Sequence, residues 1–187
     1  MWLTWLLRPM KEFLEGNRSL RDLLEEHEIV LADVPAEIAS DLSRGDLSYE
    51  TIWAWCQLGR LFGRSLRVTP ILCTLLIRDD HESHEDLADT LQDLRAPRSV
   101  DCLFDRAERR LPYLDYNDSA ALARRCVWAL HDIGTVEAIV KLKALASDPR
   151  EGVSSEAAAR LQALRGQSIG AAQPSYRLAR NGKLGSL

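Results

Sequence analysis

The chain has no CxxC pair, no glycine-rich phosphate loop, no GxSxG turn and no HExxH helix. These absences remove the usual sequence supports for a zinc ribbon, a nucleotide cradle, a hydrolase elbow and a zinc protease. Seven prolines and ten glycines are too few for a collagenous or linker-like chain. The four cysteines, Cys56, Cys73, Cys102 and Cys126, are far apart and flanked by apolar residues. They are expected to be reduced core residues of a cytoplasmic protein, with neither a disulfide framework nor a metal site. No apolar run approaches the roughly 20 residues that cross a bilayer. Residues 1–7 carry Trp2, Trp5 and Leu6 at i, i+3 and i+4, but no basic flank and no small-residue cleavage site. A docked terminal helix is expected there, with no membrane contact. Basic residues number 24 against 28 acidic, a formal charge of −4. That balance disfavours nucleic acid as a partner.

No period-2 strand pattern occurs, and helical spacing runs through the chain. Leu20, Leu23, Leu24 and His27 share a face, and a short helix is expected over residues 35–42. Ser48 can cap a helix carrying Ile52, Trp55, Leu58 and Phe62 on one side and ending at Gly63. Trp53 and Trp55 point apart on it, because two steps turn a helix by about 200°, so one of them is expected at a seam. Pro70 opens an almost wholly apolar helix. From residue 86 the chain repeats itself. Leu91, Leu94, Val100, Leu103 and Ala107 recur 39 positions on as Leu130, Ile133, Ile139, Leu142 and Ala146, with a partial third copy from Ala157 to Leu164. A looser copy precedes them at Leu58, Leu61, Pro70 and Leu75. A period near 40 made of two helices predicts an all-α solenoid of antiparallel helix pairs.

The segment Leu130-His131-Asp132-Ile133-Gly134-Thr135-Val136-Glu137-Ala138-Ile139 resembles the turn of a HEAT-type repeat, and residues 83–148 resemble small bacterial HEAT-like proteins. The resemblance covers roughly the C-terminal half, and the helical spacing through the rest predicts a single helical domain over residues 1–165. Residues 1–47 are its N-terminal helical cap, residues 48–165 its repeats, and residues 166–187 a mobile basic tail. The resemblance implies a scaffold: a non-catalytic, cofactor-free, cytoplasmic protein of the toxin-immunity type that neutralises a cognate, basic toxin domain. The family includes DNA glycosylases and bilin lyases, so an enzyme, a metal-dependent hydrolase or an adaptor remains the alternative.

The candidate contact residues come from two segments. Residues 79–93 hold seven carboxylates and no Lys or Arg. Glu82, Asp86, Asp89 and Asp93 fall along one helical stripe beside Glu85, opposite Leu87, Leu91 and Leu94. Early carboxylates suit a helix N-terminus, where Asp80 is available as the cap, but Asp89 and Asp93 lie too far along it. A solvated face and a docking surface for a basic partner both fit this pattern. The second segment, with Tyr113, Asp115, Tyr116 and Asp118, joins two repeats and offers rings beside carboxylates. Asp118 or Ser119 can cap the helix that follows. His81 and His84, with Glu85 or Asp80, could be drawn as a metal site at a helix start, but a third ligand must come from elsewhere, and capping or surface polarity accounts for these histidines more simply. His131-Asp132 occupies the repeat position of Gln92-Asp93 and reads as structural. Arg95, Arg98, Arg106, Arg109 and Arg110 are interleaved with Asp101, Asp105 and Glu108, which predicts ion pairing along one helix face. The tail from Gly166 has three basic groups and no acidic one, leaving −7 for residues 1–165, the charge that residues 79–93 alone carry.

Overall fold

The structure, a computed structural model, describes residues 48–66 and 68–167, with a few isolated positions before them. The expectations for Trp2, Trp5 and Leu6, for Leu20 to His27, for most of residues 35–42, for the side chains of Leu61 and Phe62 and for the tail beyond Gln167 lie outside the described residues. Seven α-helices are described: α1 (Tyr49–Leu66), α2 (Thr69–Ile77), α3 (His84–Leu94), α4 (Val100–Glu108), α5 (Ala120–Ile133), α6 (Val136–Leu145) and α7 (Glu151–Gln167). Short 3-10 turns, Pro97–Ser99 and Pro112–Asn117, lead into α4 and α5. Among the described residues there is no strand.

Local chemistry sets most of these boundaries. Ser48 Oγ accepts from the Thr51 amide at 3.2 Å and caps α1. Pro70 sits in the first turn of α2, where its missing N–H is not needed. Gly63 is not the end of α1 that a glycine predicts. The helix continues to Leu66, because the residues after Gly63 resume helix-compatible spacing and one interior glycine costs only about 1 kcal/mol.

Positions 39 residues apart share some backbone and burial features. Arg95 closes α3 with φ 48° and Gly134 closes α5 with φ 65°, so equivalent positions share a left-handed turn although only one is glycine. Leu91 and Leu130 are both fully buried, as are Leu103 and Leu142. Between the copies, Gln92 Nε2 donates to Asp132 Oδ2 at 2.8 Å, and Asp132 also meets His131 Nδ1 at 2.9 Å. The His131-Asp132 pair is therefore held within the repeat seam.

Packing runs from neighbour to neighbour in two rows. α1 packs on α3, α3 on α5 and α5 on α7, while α2 packs on α4 and α4 on α6. Contacts of α2 with α3, α4 with α5 and α6 with α7 join the rows. The core between them contains Trp55, Leu72, Leu87, Leu91, Leu103, Leu130 and Leu142, all fully buried. Trp53 is only half-buried, as the opposed directions of the two tryptophans require. Arg150 secures the last turn: it pairs with Asp148 and donates to the carbonyl oxygens of Ala107 and Asp118.

Two sequence expectations fail here. Cys56 and Cys126 are free and buried, but Cys73 of α2 and Cys102 of α4 form a disulfide, with their Cα atoms 5.5 Å apart. The reason is packing: the two cysteines face one another across adjacent helices of one row, a relation that spacing along the chain does not reveal. The arginines around α4 also do not pair along its own face. Arg106 turns inward to Asp79, Arg110 meets Asp118, and Asp101 is taken by Lys141 of α6.

Candidate functional site

α3 presents the acidic stripe, and most of that stripe is used within the fold. Arg125 of α5 reaches Asp89 at 2.6 Å and Glu85 at 3.5 Å, so one guanidinium relieves the repulsion of two carboxylates four residues apart. Arg60 of α1 takes Asp93 at 3.0 Å. Before the helix, Asp79 accepts from Arg106 at 2.7 Å, and Asp80 accepts from Arg78 Nε at 2.9 Å. The Arg78 hydrogen bond holds the Asp80 carboxyl down at about 2. Asp80 is thus not the cap of α3; Ser83 occupies that position without a side-chain bond. Among the described residues, Glu82 and Asp86 make no ion pair, Glu82 being exposed and Asp86 half-buried. Replacing Arg125 by Met should lower stability by about 1 kcal/mol, since its partners are partly exposed and water already screens them. The readout is the urea midpoint at unchanged slope; an unmoved midpoint would mean that the clamp contributes nothing.

The second segment is joined to the first by a buried histidine pair. The His81 and His84 rings stack with centroids 4.2 Å apart. His81 Nε2 donates to the Leu75 carbonyl at 2.9 Å, and its Nδ1 accepts from the Ser83 amide. His84 Nε2 donates to the Arg78 carbonyl at 2.6 Å, and its Nδ1 lies 2.9 Å from the Tyr113 hydroxyl, which donates to it in the neutral ring that burial favours. Carbonyl oxygens only accept, so both rings carry a proton on Nε2, and the Ser83 amide aimed at Nδ1 makes His81 neutral. Burial pushes His84 down to about 4 and lowers His81 as well. Burial also pushes the Tyr113 phenol up to about 12. Every ring nitrogen of the pair is engaged, and among the described residues no group of His, Cys, Asp or Glu is placed to hold a metal ion.

The His84–Tyr113 bond draws the turn Pro112–Asn117 against the start of α3, bringing together segments 29 residues apart. Within the turn the residues diverge. Tyr113 is half-buried and faces His84, while Tyr116 is 80% exposed and Asp115 is exposed beside it. Asp118 is left-handed and pairs with Arg110 at 2.8 Å. Ser119 starts α5 without capping it; its Oγ accepts instead from the Leu111 amide at 2.8 Å. The exposed, unpaired members of the candidate set are thus Glu82, Asp115 and Tyr116, with Asp86 half-buried.

The sequence pattern set Arg106 among ion-paired residues of one helix face, but it is fully buried with Nε and Nη2 unpartnered. The signal was present: Leu103, Arg106 and Ala107 fall at i, i+3 and i+4 on the buried face of α4. Arg125 was passed over; the one signal for it is the 39-residue spacing, which sets it level with Asp86, between Glu85 and Asp89. Comparisons with protein-family models, with curated proteins and with solved structures each found no match.

Proposed function

We propose that this protein is a HEAT-like α-solenoid that acts by stoichiometric protein binding, as a bacterial immunity protein that occludes a basic toxin domain in the cytoplasm. The observation that carries the reading is the His84–Tyr113 bond, which holds the turn bearing the exposed Asp115 and Tyr116 against the start of α3, where Glu82 and Asp86 make no ion pair among the described residues while the other ridge carboxylates are paired with Arg60, Arg78, Arg106 and Arg125. A fold that satisfies most of a −7 cluster internally, yet leaves a few carboxylates free beside an exposed ring, offers charge to steer a basic partner and an aromatic to anchor it. The neighbour-to-neighbour packing of paired helices supports the solenoid, since each repeat buries its apolar face only against the next.

An immunity protein is encoded beside its toxin, so the test mixes this chain with the product of the adjacent gene. Activity of that product should fall linearly and vanish near a one-to-one ratio. Full activity in the presence of excess chain would overturn the assignment.

A further inference from the structure

The second row of helices carries an outer surface that the proposed binding site does not use. α6 exposes Val136 at 81% and Val140 at 56%, one helical turn apart, with Ala144 continuing the line. Beside it, α4 exposes Asp101, Asp105 and Glu108 at i, i+4 and i+7. Lys141 fastens the two stripes together: its Nζ lies 3.2 Å from Asp101 and 4.4 Å from the centre of the Phe104 ring. Asp105 and Glu108 make no ion pair among the described residues. An apolar line of this exposure, bordered by unneutralised carboxylates, fits an occupant that is apolar along one edge and basic along the other.

The chain itself contains such a segment. Residues 168–187 hold Arg177, Arg180 and Lys183 and no acidic residue, with Tyr176, Leu178 and Leu184 interspersed. They follow α7, which packs directly on α6. The last turns of α7 and the end of α6 border an open groove of about 340 Å³ lined by Ala146, Ala158, Leu161, Gln162 and Arg165. Ten residues separate Gln167 from Arg177, a reach of up to about 33 Å, which exceeds the roughly 15 Å length of a ten-residue helix such as α6. We infer that residues 168–187 dock on the α4–α6 face, their basic residues over Asp101, Asp105 and Glu108 and their apolar residues over Val136 and Val140. The face is then covered in the free protein, and any partner that uses it competes with the tail. Charge repulsion makes an anionic membrane a poor occupant of the same surface.

The cysteine inventory makes the test clean. Cys56 and Cys126 are buried and Cys73 and Cys102 are paired, so a Ser186→Cys thiol on the full-length chain is the one that takes a nitroxide label. The Val136 and Val140 methyl resonances should lose most of their intensity when the label is oxidised. They should recover it in the Arg177→Glu/Arg180→Glu/Lys183→Glu variant. They should also recover when salt is raised from about 0.1 M to about 1 M, which shortens the screening length from about 10 Å to about 3 Å. Broadening that survives the triple variant, or that falls on a different face, overturns the proposal. So does broadening that appears only when labelled and isotope-enriched molecules are mixed, which would assign the face to a second copy. None of these outcomes depends on the α3 surface or on a toxin.

Discussion

Reduction of the Cys73–Cys102 disulfide should lower the free energy of unfolding by about 3–4 kcal/mol, the chain-entropy value for a bridge closing a loop of this size. The bond spans 29 residues and ties α2 to α4. It therefore restricts the unfolded chain across all of α3, and holds together two helices of the same row. Domains of this size have total stabilities of about 5–15 kcal/mol, so the bond carries a substantial share. The check is urea unfolding with and without reductant. The two remaining thiols, with Cys56 and Cys126 each pushed up to about 12 by burial, stay unreactive during the comparison. A Cys73→Ala/Cys102→Ala variant should match the reduced protein. A loss below about 1 kcal/mol would mean that the reduced chain keeps the same restriction by packing alone. In a reducing compartment the protein works without this contribution, and the remaining core must suffice.

Acid should destabilise the fold well before its carboxylates titrate. His84 sits near 4 in the folded chain against 6.5 in the unfolded one, and His81 is shifted the same way. Between those values the unfolded state binds a proton that the native state refuses, so stability falls as pH falls. Above about pH 6.5 both states are neutral and the effect is absent. For His84 alone the loss is about 2 kcal/mol at pH 5 and about 3 kcal/mol at pH 4. The structural reason is donor against donor: a proton on His81 Nδ1 would face the Ser83 amide. Burial and the Arg106 guanidinium oppose a cation on His84. A second loss sets in only near pH 4 and below, where the unfolded chain protonates carboxyls that Asp79, Asp80, Asp132 and Asp148, each held low by hydrogen bonds to its partner, keep ionised in the folded state. Urea unfolding across pH 7.5 to 4.5 separates the two. A His81→Gln/His84→Gln variant should begin less stable at pH 7.5 and show a flattened slope between pH 6.5 and 4.5. An equally steep slope in that variant would move the effect to other groups.

What could be read from the sequence and what could not divide along a physical line. Apolar periodicity reports which face of a helix is buried, so Leu91, Leu103, Leu130 and Leu142 were legible. Caps follow local hydrogen bonding, and Ser48 was readable for that reason. Asp80 was misread because a stronger partner, Arg78, lies two residues away. The acidic run was visible as charge, but its meaning depended on cations arriving from other helices. Arg60, Arg106 and Arg125 lie 33, 27 and 36 residues from Asp93, Asp79 and Asp89. The same holds for the Cys73–Cys102 bond and for His84–Tyr113, both set by which helices become neighbours.

The division of the ridge into carboxylates that support the fold and carboxylates that remain free is the central claim, and one titration tests it. Wild-type chain and a Glu82→Lys/Asp86→Lys variant are titrated calorimetrically with the product of the adjacent gene. The urea midpoint of each is recorded alongside. The account predicts a midpoint unchanged within about 0.5 kcal/mol and an affinity reduced by about tenfold or more, the weight of roughly 1.4 kcal/mol. Unchanged affinity in a variant of native stability would contradict it.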